Sequence, residues 1–119
     1  MKKPVRTIMH GQAKEAYTEL NRIVGEQLAQ GIKNSDEIQL LNSIRQKSEL
    51  IKQNPFYGDN VKKQQILKHL NVPNLWRVEL SQYWRMLYTI RGDNIEIICF
   101  VLHILDHPTY DKLFGYKKQ

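Results

Sequence analysis

The sequence predicts an α+β fold: an N-terminal strand, an antiparallel helical hairpin, and then a mostly antiparallel sheet, in the order β-α-α-β-β-β with a short C-terminal helix. Two observations carry this. Apolar residues step by three and four along residues 12 to 51, then alternate by two along the hairpin from residue 75. Glycine, Asn-Pro and Arg-Gly-Asp-Asn signals fall between the periodic segments and separate them. At 119 residues the chain has room for one core, so residues 1–119 are expected to form a single domain.

Residues 4–10, PVRTIMH, are β-branched and open on proline, which suits an edge strand that Gly11 then breaks. From Gln12 to Gln30, Ala13, Ala16, Tyr17, Leu20, Ile23, Val24 and Leu28 share one helical face, and Gly31 supplies the stop. Ser35 caps a second helix whose first turn is acidic (Asp36, Glu37). Its apolar face runs through Ile38, Leu41, Ile44 and Ile51, and Asn54-Pro55 ends it. So short a connection makes the two helices an antiparallel hairpin.

Residues 56–74 carry turn signals, GDN at 58–60 and VPN at 72–74, around the basic stretch VKKQQILKHL. They are expected to form a loop with room for a short helix. LWRVEL (75–80) and YWRMLYTI (83–90) read as strands joined by Ser81-Gln82, the spacing of a hairpin. After the RGDN turn, IEIICFVLHI (95–104) is nearly continuous in apolar residues, as expected of a strand inside a sheet covered on both faces. Asp106 then caps a short helix with Pro108 near its start, and the chain ends in a basic tail.

Composition excludes several classes. With 41% hydrophobic and 25% charged residues and four prolines, the chain is neither disordered nor collagenous. Its longest apolar run, Ile97 to Leu102, is far short of the roughly 20 residues that span a bilayer, so no membrane association is expected. The N-terminus lacks the apolar stretch of a signal peptide, which makes the cytoplasm the expected compartment. A single cysteine, Cys99, leaves no partner for an intramolecular disulfide or a thiolate zinc site. His10 and His69 have no ligand-like spacing, and His103, within an apolar strand, reads as a core histidine, so neither metal nor cofactor is expected. The net charge is +6, and residues 52–91 hold seven basic side chains against only Asp59 and Glu79. Positive charge concentrated in one stretch is the footprint expected for a polyanionic partner.

Alternation sorts the hairpin into two faces. Trp76, Val78, Leu80, Trp84, Met86, Tyr88 and Ile90 are expected to lie under the helices. Arg77, Glu79, Tyr83 and Arg85 fall on the other, open face. Two guanidiniums on one sheet face suit phosphate oxygens. Alternatively, Glu79 pairs with Arg77 or Arg85 as a cross-strand salt bridge, which needs no ligand.

The stretch from residue 75 to 110, and most specifically Trp84-Arg85-Met86-Leu87-Tyr88, resembles the RelE/ParE superfamily of toxins from type II toxin–antitoxin systems. The order of elements extends that resemblance over nearly the whole chain. It implies a ribosome-dependent, metal-independent mRNA endonuclease in which a 2′-hydroxyl attacks the adjacent phosphate. Arg77 and Arg85 would stabilise the phosphorane, His107 would act as the acid and Tyr110 would orient or stack a base. Glu79 departs from the basic residue that several such enzymes carry there, and is either a base or a group that neutralises an arginine. His107 could instead be a structural residue at a helix N-terminus, and Tyr110, near Leu113 and Phe114, could anchor the C-terminal turn. Lys62, Lys63, Lys68 and Arg91 would contact RNA. The implied partners are a cognate antitoxin with mRNA and the ribosome. The alternatives are a ParE-like inhibitor of DNA gyrase without nuclease chemistry and an inactive nucleic-acid-binding relative.

Overall fold

A computed structural model describes residues 3–66 and 70–115. Strand β1 (Val5–Met9) leads into helices α1 (Gln12–Ala29) and α2 (Asp36–Gln53). A two-residue strand β2 (Asp59–Asn60) and one 3-10 turn (Lys63–Gln65) follow. Strands β3 (Trp76–Glu79), β4 (Arg85–Gly92) and β5 (Ile97–Leu105) come next, and then helix α3 (His107–Leu113). The strands form one sheet in the order β1-β5-β4-β3-β2. All its pairings are antiparallel except β1 with β5, which run parallel with Val5 beside Ile97.

The helix ends follow the local chemistry. Ser35 has extended backbone and its hydroxyl accepts the Ile38 N–H, so the expected cap forms. Gly11 sits at φ 56° and ψ −127°, a corner of backbone space costly to a side chain, and this turns β1 sharply into α1. The Gln12 amide then extends the sheet where β1 stops: it donates to Ile104 O (3.0 Å) and accepts from Ile104 N (2.8 Å). Asn74 does the same beside β4, accepting from Ile90 N (2.7 Å) and donating to Ile90 O (3.0 Å).

The main core lies between the helical pair and one sheet face. Leu20, Val24, Leu41, Ile44 and Ile51 meet Val78, Met86, Tyr88, Cys99, Val101 and Ile104 there, so the apolar side of the hairpin packs as the alternation predicts. Burial pushes the Cys99 thiol up to about 11, a group suited to packing rather than reaction.

Two expectations change. First, the opposite sheet face is not open: Leu75, Leu87, Leu105 and Tyr110 form a second buried cluster with Val61, covered in part by Ile66, Leu70, Val72, Leu113 and Phe114. The segment read as a loop therefore contributes a strand and a cover, because a chain with isolated apolar residues can pack without showing a period. Second, the β3–β4 connection is longer than Ser81-Gln82. Residues Ser81–Tyr83 form a turn in which Gln82 and Tyr83 both have positive φ, so Tyr83 is a turn residue, 80% exposed, and not a strand residue of the arginine face. In addition, β5 skips a residue against β4: Leu87 faces His103 but Tyr88 faces Val101, a bulge that re-aims the C-terminal end of β5.

Candidate active site

Alternation in β3 and β4 puts Arg77, Glu79 and Arg85 on the sheet face that carries α3. Glu79 stands opposite Arg85, and Arg85 opposite Leu105. From Leu105 the chain turns directly into α3. Asp106 caps this helix, its carboxylate accepting the Thr109 N–H at 2.9 Å, and the bonds from the Thr109 hydroxyl and N–H hold that carboxyl below its usual pKa. Within α3 the spacing of three and four brings His107, Tyr110 and Asp111 onto one face, over the ends of β3 and β4.

Tyr110 is 1% exposed and links the two arginines. The Arg85 guanidinium lies over its ring, 4.5 Å from the centroid, while Arg77 Nη1 donates to its hydroxyl at 3.2 Å. Its other side stacks on Phe114, with centroids 4.6 Å apart. Tyr110 is thus a core residue that touches both arginines. The Arg77 guanidinium is held above its ordinary pKa, first by the bond to Tyr110 and also by Asp59.

His107 is held at both ring nitrogens. Nε2 lies 3.1 Å from Asp111 Oδ2, and Nδ1 lies 3.1 Å from Arg85 Nη1. The neutral tautomer with its hydrogen on Nε2 satisfies both contacts, donating to the carboxylate and accepting from the guanidinium.

Each arginine has a carboxylate nearby at long range, Asp59 at 3.6 Å from Arg77 and Asp111 at 3.9 Å from Arg85. These distances exceed those of good charge-assisted hydrogen bonds, so the guanidiniums are oriented while N–H groups remain for another oxyanion. Arg77 Nε is buried and has no hydrogen-bond partner among the described residues. The cross-strand salt bridge considered for Glu79 does not form: the arginines turn to Asp59 and Asp111, and Glu79 is exposed with no ion pair among the described residues.

The structure therefore brings together Arg77, Glu79, Arg85, His107 and Tyr110. Arg91 is exposed at the far end of β4, six residues from Arg85 or about 20 Å along the strand. Lys62 and Lys63 are exposed on the segment that covers the second cluster, and Lys68 lies outside the described residues. His103 is half-buried opposite Leu87. Among the described residues no three His, Cys, Asp or Glu side chains gather as a metal site would require, and no helix is long and apolar enough to cross a membrane.

Sequence reasoning missed Asp111 and Asp59. Asp111 had a readable signal, since it follows His107 by four residues in an anticipated helix. Asp59 had none, because a two-residue strand has no period.

No protein-family profile and no curated protein matches the chain. Among solved structures it is similar to a YoeB/ParE toxin from Agrobacterium tumefaciens, at 13% sequence identity and a TM-score of 0.58, over 86% of this chain and 98% of that one. At this identity the likeness is one of fold: strand, helical pair, antiparallel sheet and short last helix are arranged as in the RelE/ParE-like toxins.

Proposed function

We propose that this chain, whose fold is that of the RelE/ParE-like toxins, is the toxin of a toxin–antitoxin pair and acts as a ribosome-dependent, metal-independent mRNA endonuclease. The observation that carries the reading is the meeting of Arg85 Nη1 and His107 Nδ1 at 3.1 Å, with Asp111 behind the imidazole and Arg77 reaching the same tyrosine. An oxyanion placed beside Nη1 and Nδ1 accepts from both once the imidazole is protonated, and Asp111 supports the protonated ring from the other side.

The reaction is attack of an RNA 2′-oxygen on the neighbouring phosphorus. The O2′–P bond forms, the P–O5′ bond breaks, and a 2′,3′-cyclic phosphate and a 5′-hydroxyl result. Glu79, exposed on the same face and unpaired among the described residues, takes the 2′-hydroxyl proton. Arg77 and Arg85 stabilise the charge on the phosphorane. His107 Nδ1 delivers a proton to O5′ while Nε2 stays on Asp111. Lys62 and Lys63, with Lys68 and Arg91, supply positive charge for longer-range contact with RNA.

The test is mapping of 5′ ends on a defined mRNA in translating ribosomes, with Arg85→Ala alongside. Cleavage by the native chain, reduced about 10²–10³-fold in the variant, supports the reading. Uncut mRNA with folded protein overturns it, and inhibition of DNA gyrase is then the next activity to assay.

A further inference from the structure

The sheet face that carries α3 is covered over only part of its area. Away from α3, toward the end of β1, it holds a trough of about 320 Å³. The register builds its floor. Thr89 of β4 stands beside Phe100 of β5, and Leu102, the residue that the bulge leaves without a partner on β4, turns to the same face. Leu70 and Val72 form a wall, on the segment that runs from the second cluster into β3. Thr89 is 2% exposed and its hydroxyl donates to Asn74 Oδ1 at 3.0 Å, so the surface on offer is mainly the apolar one of Phe100, Leu102, Leu70 and Val72.

Two hydrogen-bond donors stand at the rim. The His10 ring meets Phe100 edge to face, with centroids 6.3 Å apart and planes at 77°, and it presents a ring N–H in either protonation state. Arg91 is exposed on β4 and makes no ion pair among the described residues. The carboxylates of the β4–β5 turn are used elsewhere: Glu96 takes two bonds of 2.9 Å from Arg6, and Asp93 accepts the N–H groups of Ile95 (2.7 Å) and Glu96 (2.8 Å). Among the described residues no Asp or Glu lines the trough. It therefore combines an apolar floor with positive charge that nothing in the fold matches.

We infer that this trough binds a small aromatic carboxylate, with its ring on the apolar floor beside Phe100 and its carboxylate at Arg91 and His10. The trough lies at the far end of β4 from Arg85, about 20 Å along the strand, and the inference does not rest on the endonuclease reading. Charge and shape select the class. An inorganic anion would leave the floor wet, and a neutral apolar molecule would cover the floor while leaving Arg91 unmatched. The volume is at the small end for a ligand cavity, which suits one ring on a short acid chain rather than a run of nucleotides. A guanidinium takes a carboxylate through two parallel N–H groups, and an aromatic ring packs edge to face on Phe100. Because Leu70 and Val72 form the wall, a bound acid ties the segment that precedes β3 to the sheet and stabilises the folded chain.

The test is titration of 15N-labelled protein, followed by NMR, with phenylacetate, its neutral counterpart phenylacetamide, acetate and uridine monophosphate. Phenylacetate should shift the amides of His10, Arg91, Phe100 and Leu102 together, with a Kd of about 1 mM or below. It should bind about tenfold more tightly than phenylacetamide, and acetate, which has no ring, should leave these amides unmoved. Arg91→Gln changes an exposed residue that makes no ion pair among the described residues, so the fold should persist. The variant should bind phenylacetate about tenfold more weakly and phenylacetamide as the native chain does. In a urea melt the acid should raise the midpoint of the native chain more than that of the variant. The inference is overturned by the absence of a saturable shift, by equal affinities for acid and amide, by an Arg91→Gln variant that binds the acid as tightly as the native chain, or by shifts confined to the arginine pair. Shifts at these amides with uridine monophosphate and not with phenylacetate also overturn it, and make the trough an RNA contact instead.

Discussion

Replacing Asp111 by Asn tests whether the carboxylate behind His107 takes part in the chemistry or only in folding. The substitution keeps the size of the side chain and an oxygen that can accept from Nε2, and removes the charge. Asp111 Oδ2 stands 3.1 Å from Nε2, with the two side chains 27% and 47% exposed. Hydrogen bonds to charged groups contribute about 1.5–3 kcal/mol, and solvent screening at this exposure places the loss at the lower end, about 1.5 kcal/mol. That corresponds to about a tenfold slower cleavage. The assay is single-turnover cleavage of ribosome-bound mRNA, with a urea melt of each protein. An unchanged rate refutes the reasoning, as does a loss that follows a lowered urea midpoint.

Two further outcomes follow from the same geometry. Gly58→Ala puts a Cβ 2.9 Å from Arg77 O and 3.1 Å from the Tyr88 ring and hydroxyl, and should cost about 1–3 kcal/mol of stability, read as a lower urea midpoint; an unchanged midpoint would falsify the close packing of this loop on β3. The Asp106 carboxyl, held below the usual carboxylate range by its bonds to Thr109, stabilises the folded state above that range and loses this contribution as pH falls through its lower folded pKa. Acid titration should therefore loosen α3 as pH falls through that lowered value, seen as loss of the Tyr110–Phe114 near-ultraviolet signal, and Asp106→Asn should flatten that dependence.

Much of the fold was legible because its signals are local. The period of α1 and α2 gave their ends to within a residue or two, and Ser35 and Asp106 announced the starts of α2 and α3 with side chains that do cap them. Alternation in β3 and β4 placed Arg77 and Arg85 on one face and the Trp76–Tyr88 side on the core. The turn at Ser81–Tyr83 was misjudged by one residue, because two consecutive residues with positive φ are held there by tertiary contacts: the Gln82 amide on Asp36 O and Gln39, and the Ser81 N–H on Ser43. No turn-forming glycine marks them.

The sequence by itself determined the element order, the two-sided hairpin and the pair of arginines, since each follows from spacing along a few neighbouring residues. Only the tertiary structure decided what those arginines meet. Asp59 and Asp111 reach them from segments 18 and 26 residues away and leave Glu79 without an ion pair among the described residues. It also decided that Val61, Ile66, Leu70, Val72 and Leu75 pack on the second sheet face, and that β1 lies parallel to β5 rather than beside its chain neighbours. Such pairings depend on the competition of distant groups for the same surface, and that competition is settled by packing and charge in three dimensions, where a local period carries no record of it.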